Sequence, residues 1–457
     1  LAEHPGGSKV ILKHAGGDAT EDYDAIHSPA LVHETLPESK CKGNVKIQAT
    51  HTPKEKGRVA KMVASKPRLP SLSAMINAND FEKAAESRLS PAGWAYYSSG
   101  AEDEISMEDA QRVFRSITLR PRILRDVRTI STVTEILGCP SSLPIYISPT
   151  GSARYAHSEG ENLIVSAAGK EGLLYCMPSS PSNSWDDIFG ARVNPAQPLF
   201  CQLYLNQDIY KAKAQVRKAA DLGARAIFIT VDSPVIGKRE RDERLTSETA
   251  GDDDEEEMDD KGIKNEKPKV TAGVAKSSST GLLNAGLTWS DLEWVRKTTS
   301  LPIVIKGVQS VEDAVLAYHH GADGIVISNH GGRSQDTAQA PMITLLEIRK
   351  YAPHLLSPST TETRRSKFEV MLDGGVRRGT DVIKALALGA TAVGIGRPVL
   401  YAMTGFGERG IRRLVQILRA ELETNMALVG AASVAELVPE MVNSEKVEKE
   451  VTTRAKL

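Results

Sequence analysis

A strand-then-helix alternation, repeated eight times, is the feature that most limits what this chain can become. Apolar runs of five to seven residues recur at 144–149, 173–177, 199–204, 226–232, 302–307, 324–328, 370–374 and 392–396. Runs this short and this uniformly apolar suit strands buried on both faces. Most are followed by a segment of helical periodicity, clearest in QDIYKAKAQVRKAADLG, SVEDAVLAYHHG and GTDVIKALALG, the last two closing on a C-cap glycine. The joins LGARA, HGADG and LGATA repeat one helix-to-strand turn. Strands that alternate with helices pair in parallel, and eight of them over roughly 250 residues predict an α/β fold of the (β/α)8 TIM-barrel kind. A doubly wound sheet is the alternative, but it would have fewer strands and a glycine-rich fingerprint, and no GxGxxG occurs.

The barrel is expected to occupy residues 71–435 of the 457. Residues 1–50, rich in His, Gly and Asp, read as part of a separate small domain. Residues 51–70, HTPKEKGRVAKMVASKPRLP, are basic and Pro-bearing like a hinge, and 436–457 read as a C-terminal tail. One connection breaks the rhythm. About 70 residues separate Asp232 from Leu301, and eight of the nine positions 252–260 are acidic. Such a block repels itself and predicts a disordered insertion near 245–280, at the C-terminal end of a strand.

A net charge of −1 provides no basic field, so nucleic acid is not an expected partner. Cys41, Cys139, Cys176 and Cys201 are scattered without CxxC or zinc spacing, which argues against a disulfide framework and a structural zinc. No apolar run approaches the roughly 20 residues of a membrane span. No signal or transit peptide stands at the start of this sequence, and a cytoplasmic location is the expectation only where no resemblance points elsewhere.

In a barrel of this kind the chemistry sits at the C-terminal ends of the strands. Taken in order those ends offer Thr150 and Gly151, then Pro178 to Ser180, then Gln202 with Tyr204, and Thr230 with Asp232. Next come Lys306, then Ser328 with His330 and Arg333, then Asp373 with Gly375, and Gly396 with Arg397. One polar strand end is usually structural; polar residues converging from every strand are not what packing alone would give. DGGVRRG and GIGRP bring glycines and the cations Arg377 and Arg397 to the last two strands, the usual barrel site for a phosphate. His330 is a general base by type, Asp232 a carboxylate to stabilise its imidazolium, and Arg333 a planar fork for a carboxylate. Lys306 is a fixed positive charge, and Tyr204 a hydrogen-bonding partner for a hydroxyl. Base, carboxylate clamp and phosphate-bearing cofactor together point to oxidation of a hydroxy acid.

The stretches SNHGGR, QLY, TVDSPVIGKRERD, PIVIKGV and DGGVRRGTDVIKALALGA resemble the FMN-dependent 2-hydroxy acid dehydrogenase family, from about residue 81 to 436. The resemblance implies FMN as the phosphate ligand and an L-2-hydroxy acid, lactate or a larger relative, as substrate. It implies His330 as the base with Asp232 behind it, Arg333 and Arg239 on the substrate carboxylate, and Tyr204 and Tyr96 against the substrate. Lys306 would lie beside the flavin and stabilise its negative charge when reduced. Thr150, Gly151, Gln202, Thr230 and Ser328 would surround the ring, and Asp373, Gly375, Arg377, Gly396 and Arg397 would hold the ribityl phosphate. The chain departs from the family where Gly151 replaces the usual Ala, Pro178 a Ser, Ser180 a bulky apolar residue and Ser334 a Gln. Gly151 and Ser180 both remove bulk from the substrate side.

The segment EHPGGSKVILKHAGGDATEDYDAIHSP resembles the cytochrome b5-type haem domain, taken up at its first ligand. That resemblance implies His4 and His27 as axial ligands of a haem b iron, and electron transfer as its task. Haem retention is in question, because the part of that domain before its first ligand is absent from this sequence. Joined to the barrel, the segment implies electrons passing to a cytochrome c acceptor, in a homotetramer of the mitochondrial intermembrane space. The rival readings are an oxidase returning electrons to oxygen, a catalytically silent carrier, and a phosphate-ligand isomerase barrel. The haem-type segment argues against the first, and the complete set His330, Asp232, Arg333 and Lys306 against the second.

Overall fold

The computed structural model describes residue 23 and residues 69–249, 283–356 and 368–453. His4 and His27, nearly all of the hinge and most of the acidic insertion lie outside the described residues.

All eight apolar runs form strands: β1 (Ile145–Ile147), β2 (Leu174–Met177), β3 (Leu199–Leu203), β4 (Ala226–Thr230), β5 (Ile303–Val308), β6 (Gly324–Ile327), β7 (Glu369–Asp373) and β8 (Ala392–Ile395). They close into one barrel, each parallel to its neighbours, with Val393 of β8 in register with Ile145 of β1. Every strand residue is buried, which is why the runs carry no polar alternation in the sequence. The alternation is in size and direction instead. Tyr146, Cys176, Phe200, Phe228, Val304, Val326 and Met371 fill the barrel interior, while their neighbours Ile145, Ile147, Tyr175, Cys201, Ile227, Ile303 and Ile325 belong to the layer under the helices. A hairpin of Thr134–Ile136 and Cys139–Ser141 contributes Ile136 and Cys139 to the interior cluster and so closes one end.

The same two-residue period sets what lies one step above that plug. Ser148, Gln202, Thr230, Lys306, Ser328 and Asp373 each follow an interior residue by two positions, and each is buried. A polar floor at the barrel mouth is therefore a consequence of strand geometry.

Helices return the chain between strands with local signals of their own. Asp208 caps Ile209–Asp221 by accepting from Tyr210 N and Lys211 N, and Ser310 caps Val311–His319 through Asp313 N. Ahead of the barrel, Ser90 and Pro91 start helix Pro91–Ser98, which brings Tyr96 and Tyr97 to the mouth. Residues 436–453, expected as a tail, are bound into the body. Val442–Asn443 pairs antiparallel with Thr118–Leu119, and Val447 and Val451 are buried. Among the described residues no helix is long and apolar enough to cross a membrane.

Candidate active site

The mouth encloses a cavity of about 380 Å³, a volume suited to a small molecule. On one side of it β6 leads into Ser328-Asn329, and the backbone then turns through three residues of positive φ: His330 at 57°, Gly331 at 66° and Gly332 at 76°. A histidine seldom adopts this conformation. The glycines after it are required by space as well as by φ: a Cβ at 331 would lie 2.8 Å from Arg397 Nη1, and one at 332 would lie 2.8 Å from Met107 N. Ser328 Oγ accepts from His330 N at 3.1 Å, and Asn329 Oδ1 from Gly332 N at 3.2 Å, which pins the turn.

The turn aims the imidazole. His330 Nδ1 lies 2.8 Å from Asp232 Oδ1, which places the ring proton on Nδ1 and leaves Nε2 as an acceptor, 3.4 Å from the Tyr204 hydroxyl. The Asp232 side chain is wholly buried. Burial is the strongest influence on it and would raise its pKa, but the His330 imidazole and then Lys306 hold the carboxyl below its ordinary value. Burial and then the Asp232 charge push Tyr204 upward, so its hydroxyl stays protonated.

Arg333 lies with its guanidinium carbon 4.8 Å from the Tyr96 ring centre and donates to the carbonyls of Tyr96 and Ser99. Arg239 lies 5.8 Å from the same ring. Burial, followed by the like charge of Arg239, pushes Arg333 below its ordinary value. A guanidinium nevertheless stays charged, so the two arginines present a positive excess that a substrate carboxylate would neutralise.

Lys306 Nζ donates to Ser328 Oγ at 3.0 Å and pairs with Asp373 Oδ2 at 3.4 Å. Burial is the largest single influence and lowers it, but Asp373 and Asp232 together outweigh burial and keep the ammonium above its ordinary value. Ser148 donates to the same Asp373 oxygen at 3.1 Å. Asp373, expected beside a phosphate, is thus engaged with Lys306 and Ser148, and a carboxylate would repel that anion. Arg377 pairs with Glu82 at 3.1 Å. Arg397 donates to the carbonyls of Tyr97, Gly331 and Ser99 at 2.8, 2.8 and 2.9 Å. Gly375 has φ 81° and approaches so closely that a Cβ would lie 2.6 Å from the Ala110 carbonyl oxygen; at Gly396 a Cβ would lie 3.3 Å from the Thr150 methyl. All four residues line the cavity.

Thr150 Oγ1, Gln202 Nε2 and Thr230 Oγ1 are buried without a hydrogen-bond partner, and all three residues line this cavity. Gln202 is oriented from its other end, where Oε1 accepts from Ser179 N at 2.9 Å. Buried polar atoms without partners are uncommon. Three of them around one cavity, beside a buried ammonium, fit a planar heterocycle with carbonyl and N–H edges, and flavin is such a group.

The structure thus gathers the expected barrel residues at one mouth, with Asp232 and Ser328 just behind its wall. It adds residues that the sequence reading had not assigned a role. Ser148 was legible, standing two positions beyond the inward Tyr146. Ser233 was not: its Oγ lies 3.2 Å from Asp232 Oδ1, 3.3 Å from His330 Nδ1 and 2.7 Å from Ser334 Oγ, contacts that join distant segments of the chain.

With this geometry in place the comparison with known proteins is direct. The FMN-dependent dehydrogenase family model matches residues 85–444. The chain belongs to the FMN-dependent dehydrogenase family. A second model, the cytochrome b5-like heme/steroid binding domain, matches residues 1–46, so FMN and haem b are the cofactors of its two domains. The chain is 38% identical over 461 residues to the L-lactate dehydrogenase (cytochrome) of Wickerhamomyces anomalus, covering 100% of this chain and 77% of that one. It is 38% identical over 371 residues to the glycolate oxidase of Spinacia oleracea, covering 79% and 94%. The recombinant flavin-binding domain of baker's yeast flavocytochrome b2 superposes with a TM-score of 0.72 at 36% identity, covering 85% of this chain and 91% of that one. This family member is an FMN-dependent oxidoreductase acting on CH–OH groups, built on a TIM barrel.

Proposed function

We propose that the enzyme oxidises an L-2-hydroxy acid to the 2-keto acid and passes the electrons through haem b to a cytochrome c-type acceptor. One observation carries the reading: a His330–Asp232 pair opens onto the same cavity as Arg333 and Arg239. Arg333 and Arg239 seat the substrate carboxylate, with Tyr96 beside them. The Tyr204 hydroxyl and His330 Nε2 receive the 2-hydroxyl group. His330 takes the proton at Nε2, and buried, anionic Asp232 stabilises the imidazolium that results. FMN, when bound, supplies the two-electron acceptor for the substrate. Gln202 Nε2 and the hydroxyls of Thr150 and Thr230, unpartnered in the cavity, would be the groups to hold its ring, and Gly151 would offer no side chain to obstruct it. Ser328 and Asp373 fix Lys306, whose charge favours added electron density nearby. Arg377 and Arg397, with the close backbone at Gly375 and Gly396, would hold the phosphate.

The cytochrome route is supported by the haem-domain match over residues 1–46 and by similarity along the whole chain to a cytochrome-linked lactate dehydrogenase. His4 and His27 are the residues we assign to the haem iron. For the homotetramer we propose, Ile123, Leu124 and Val133, which are 82%, 99% and 67% exposed, offer apolar surface that a second copy of the chain would cover.

The test is the visible spectrum of the purified protein without oxygen, before and after L-lactate and larger L-2-hydroxy acids. Bleaching of a flavin band together with sharpening of reduced haem bands is the expected result. A flavin spectrum indifferent to every 2-hydroxy acid would overturn the reading, and stoichiometric hydrogen peroxide under air would overturn the cytochrome route.

A further inference from the structure

Arg239 and Arg333 are held at the mouth in different ways. Arg333 lies 4.8 Å from the Tyr96 ring centre and donates to two carbonyls. Arg239 lies 5.8 Å from the same ring, near the outer limit of a cation–π contact. The two guanidinium groups carry like charge, so without a substrate they push apart. On the reading proposed above, on which this inference rests, both must be in place when the substrate carboxylate arrives. The place of Arg239 is therefore set by its backbone.

That backbone is fixed on both sides. Just before it, Gly237 packs so closely onto the segment after the His330 turn that a Cβ would lie 2.3 Å from the Ser334 carbonyl oxygen and 2.4 Å from that of Arg333. The Lys238 carbonyl accepts from Glu102 N at 2.8 Å. Just after it, helix Glu240–Thr249 begins, with Glu243 N donating to the Arg239 carbonyl at 2.9 Å. Lys238 and Arg244 both pair with Glu240, inside this segment. Arg241 reaches outside it. Its Nε donates to Glu104 Oε1 and its Nη2 to Glu104 Oε2, both at 2.8 Å. Nη2 also donates to the Ser98 carbonyl at 2.8 Å, and Nη1 to Ser98 Oγ at 3.2 Å. A fork on a carboxylate fixes angle as well as distance.

The turn that receives Arg241 is itself held. Glu104 Oε1 accepts from Gly100 N at 2.9 Å, Ala101 N donates to the Gly332 carbonyl at 2.7 Å, and the Ser99 carbonyl accepts from both Arg333 and Arg397. Arg241 thus ties the start of the helix that follows Arg239 to the chain segment that carries Tyr96 and anchors Arg333. Neither Arg241 nor Glu104 lines the cavity, and their side chains are 41% and 21% exposed. An ion pair this exposed contributes little to stability. Its effect lies in where it sets the backbone beside Arg239.

We infer that Arg241 and Glu104 are positioning residues for substrate binding, whose ion pair holds Arg239 where it meets the substrate carboxylate.

The experiment uses the full chain loaded with its cofactors. Rapid-mixing flavin reduction without oxygen, with L-lactate, L-2-hydroxy-4-methylpentanoate and L-mandelate, gives the best of the three acids, its limiting rate and its half-saturating concentration. Calorimetry gives the Kd of the matching keto acid independently of turnover. Arg241→Ala is expected to raise the half-saturating concentration and the Kd about tenfold, with the limiting rate and the flavin content unchanged. Glu104→Gln is expected to act in the same direction and serves if Arg241→Ala does not fold, while Arg241→Lys recovers part of the loss. In an Arg239→Ala background, which itself weakens binding, Arg241→Ala is expected to add less than about twofold, because the residue it positions is gone. A merely structural role would multiply the two losses. Multiplied losses overturn the inference, as does a keto-acid Kd in Arg241→Ala within about twofold of the wild type. In both cases reduction of the wild-type flavin by any of the acids leaves the parent reading standing. Reduction by none of the three overturns both.

Discussion

His330 combines an unusual backbone with a crowded ring. Its φ of 57° is kept by the glycines that follow and by Ser328 Oγ below, so the strain is held by the same floor that holds Lys306. On the ring, Asp232 occupies Nδ1 with Ser233 at its side, while Tyr204 approaches Nε2. A side chain placed at this cost is what the proposed role as base requires. His330→Gln keeps a polar group of similar reach but provides no base. We expect FMN to remain bound and flavin reduction by the preferred acid to fall about 10²–10⁴-fold, measured by rapid mixing without oxygen. Reduction within tenfold of the wild type would remove His330 as the base. The placement of His330 and Arg333 at the mouth was readable because an apolar run stops abruptly at SNHGGR. Ser233 was not readable, since a serine next to an aspartate carries no pattern until folding brings the His330 loop against it.

Among the elements, helix Ile105–Ser116 shows how a loop can be tied to a helix by one carboxylate. Its own N-cap residue, Glu104, has φ 65° and makes no side-chain cap. Asp336, in the loop that follows the His330 turn, does so from outside: Oδ1 accepts from Ser106 N at 2.8 Å and Oδ2 from Asp103 N at 3.1 Å. Ser106 Oγ answers by accepting from Ala338 N at 2.8 Å. The same helix supplies Met107 and Ala110, against which Gly332 and Gly375 pack too closely for a side chain. Burial, the largest influence, would raise Asp336, but the backbone N–H groups around it hold it below the ordinary 3.8. A carboxyl depressed in the folded state contributes stability that is complete above its ordinary value and is lost as pH falls through the depressed one. Asp336→Ala should therefore cost about 1–2 kcal/mol at neutral pH. The difference in Tm from the wild type should shrink as pH drops below about 4. A Tm difference that stays constant across that range would show that the cap does not titrate.

For the molecule as a whole, the segment that carries Ile123 and Leu124 projects two adjacent apolar side chains to solvent, 82% and 99% exposed. Leu124 does so with φ 58°, a conformation unfavourable for leucine, so the display is not a relaxed loop. Covering it with a second copy of the chain removes apolar area from water at about 25 cal/mol per Å². Light scattering of the full chain should give the mass of four copies, and the double change Ile123→Asp with Leu124→Asp should dissociate them without loss of bound flavin. A wild-type monomer at micromolar concentration would end this assignment.

The eight strands, their order and the polar floor of the mouth were determined by the sequence alone. Parallel strands covered on both faces must be short apolar runs, and the two-residue period then dictates which side chain tops each one. The glycines at 331, 332 and 375 were likewise visible, because close backbone approach and positive φ leave few alternatives. Only the tertiary structure decided that Arg397 is bound to three carbonyls, that Asp373 serves Lys306, that Asp336 caps a helix more than two hundred residues away, and that 442–451 docks onto the barrel. Each of these joins single residues far apart in the chain. A lone charge or a pair of valines has no period, so its partner is fixed only when the barrel closes and brings the two together.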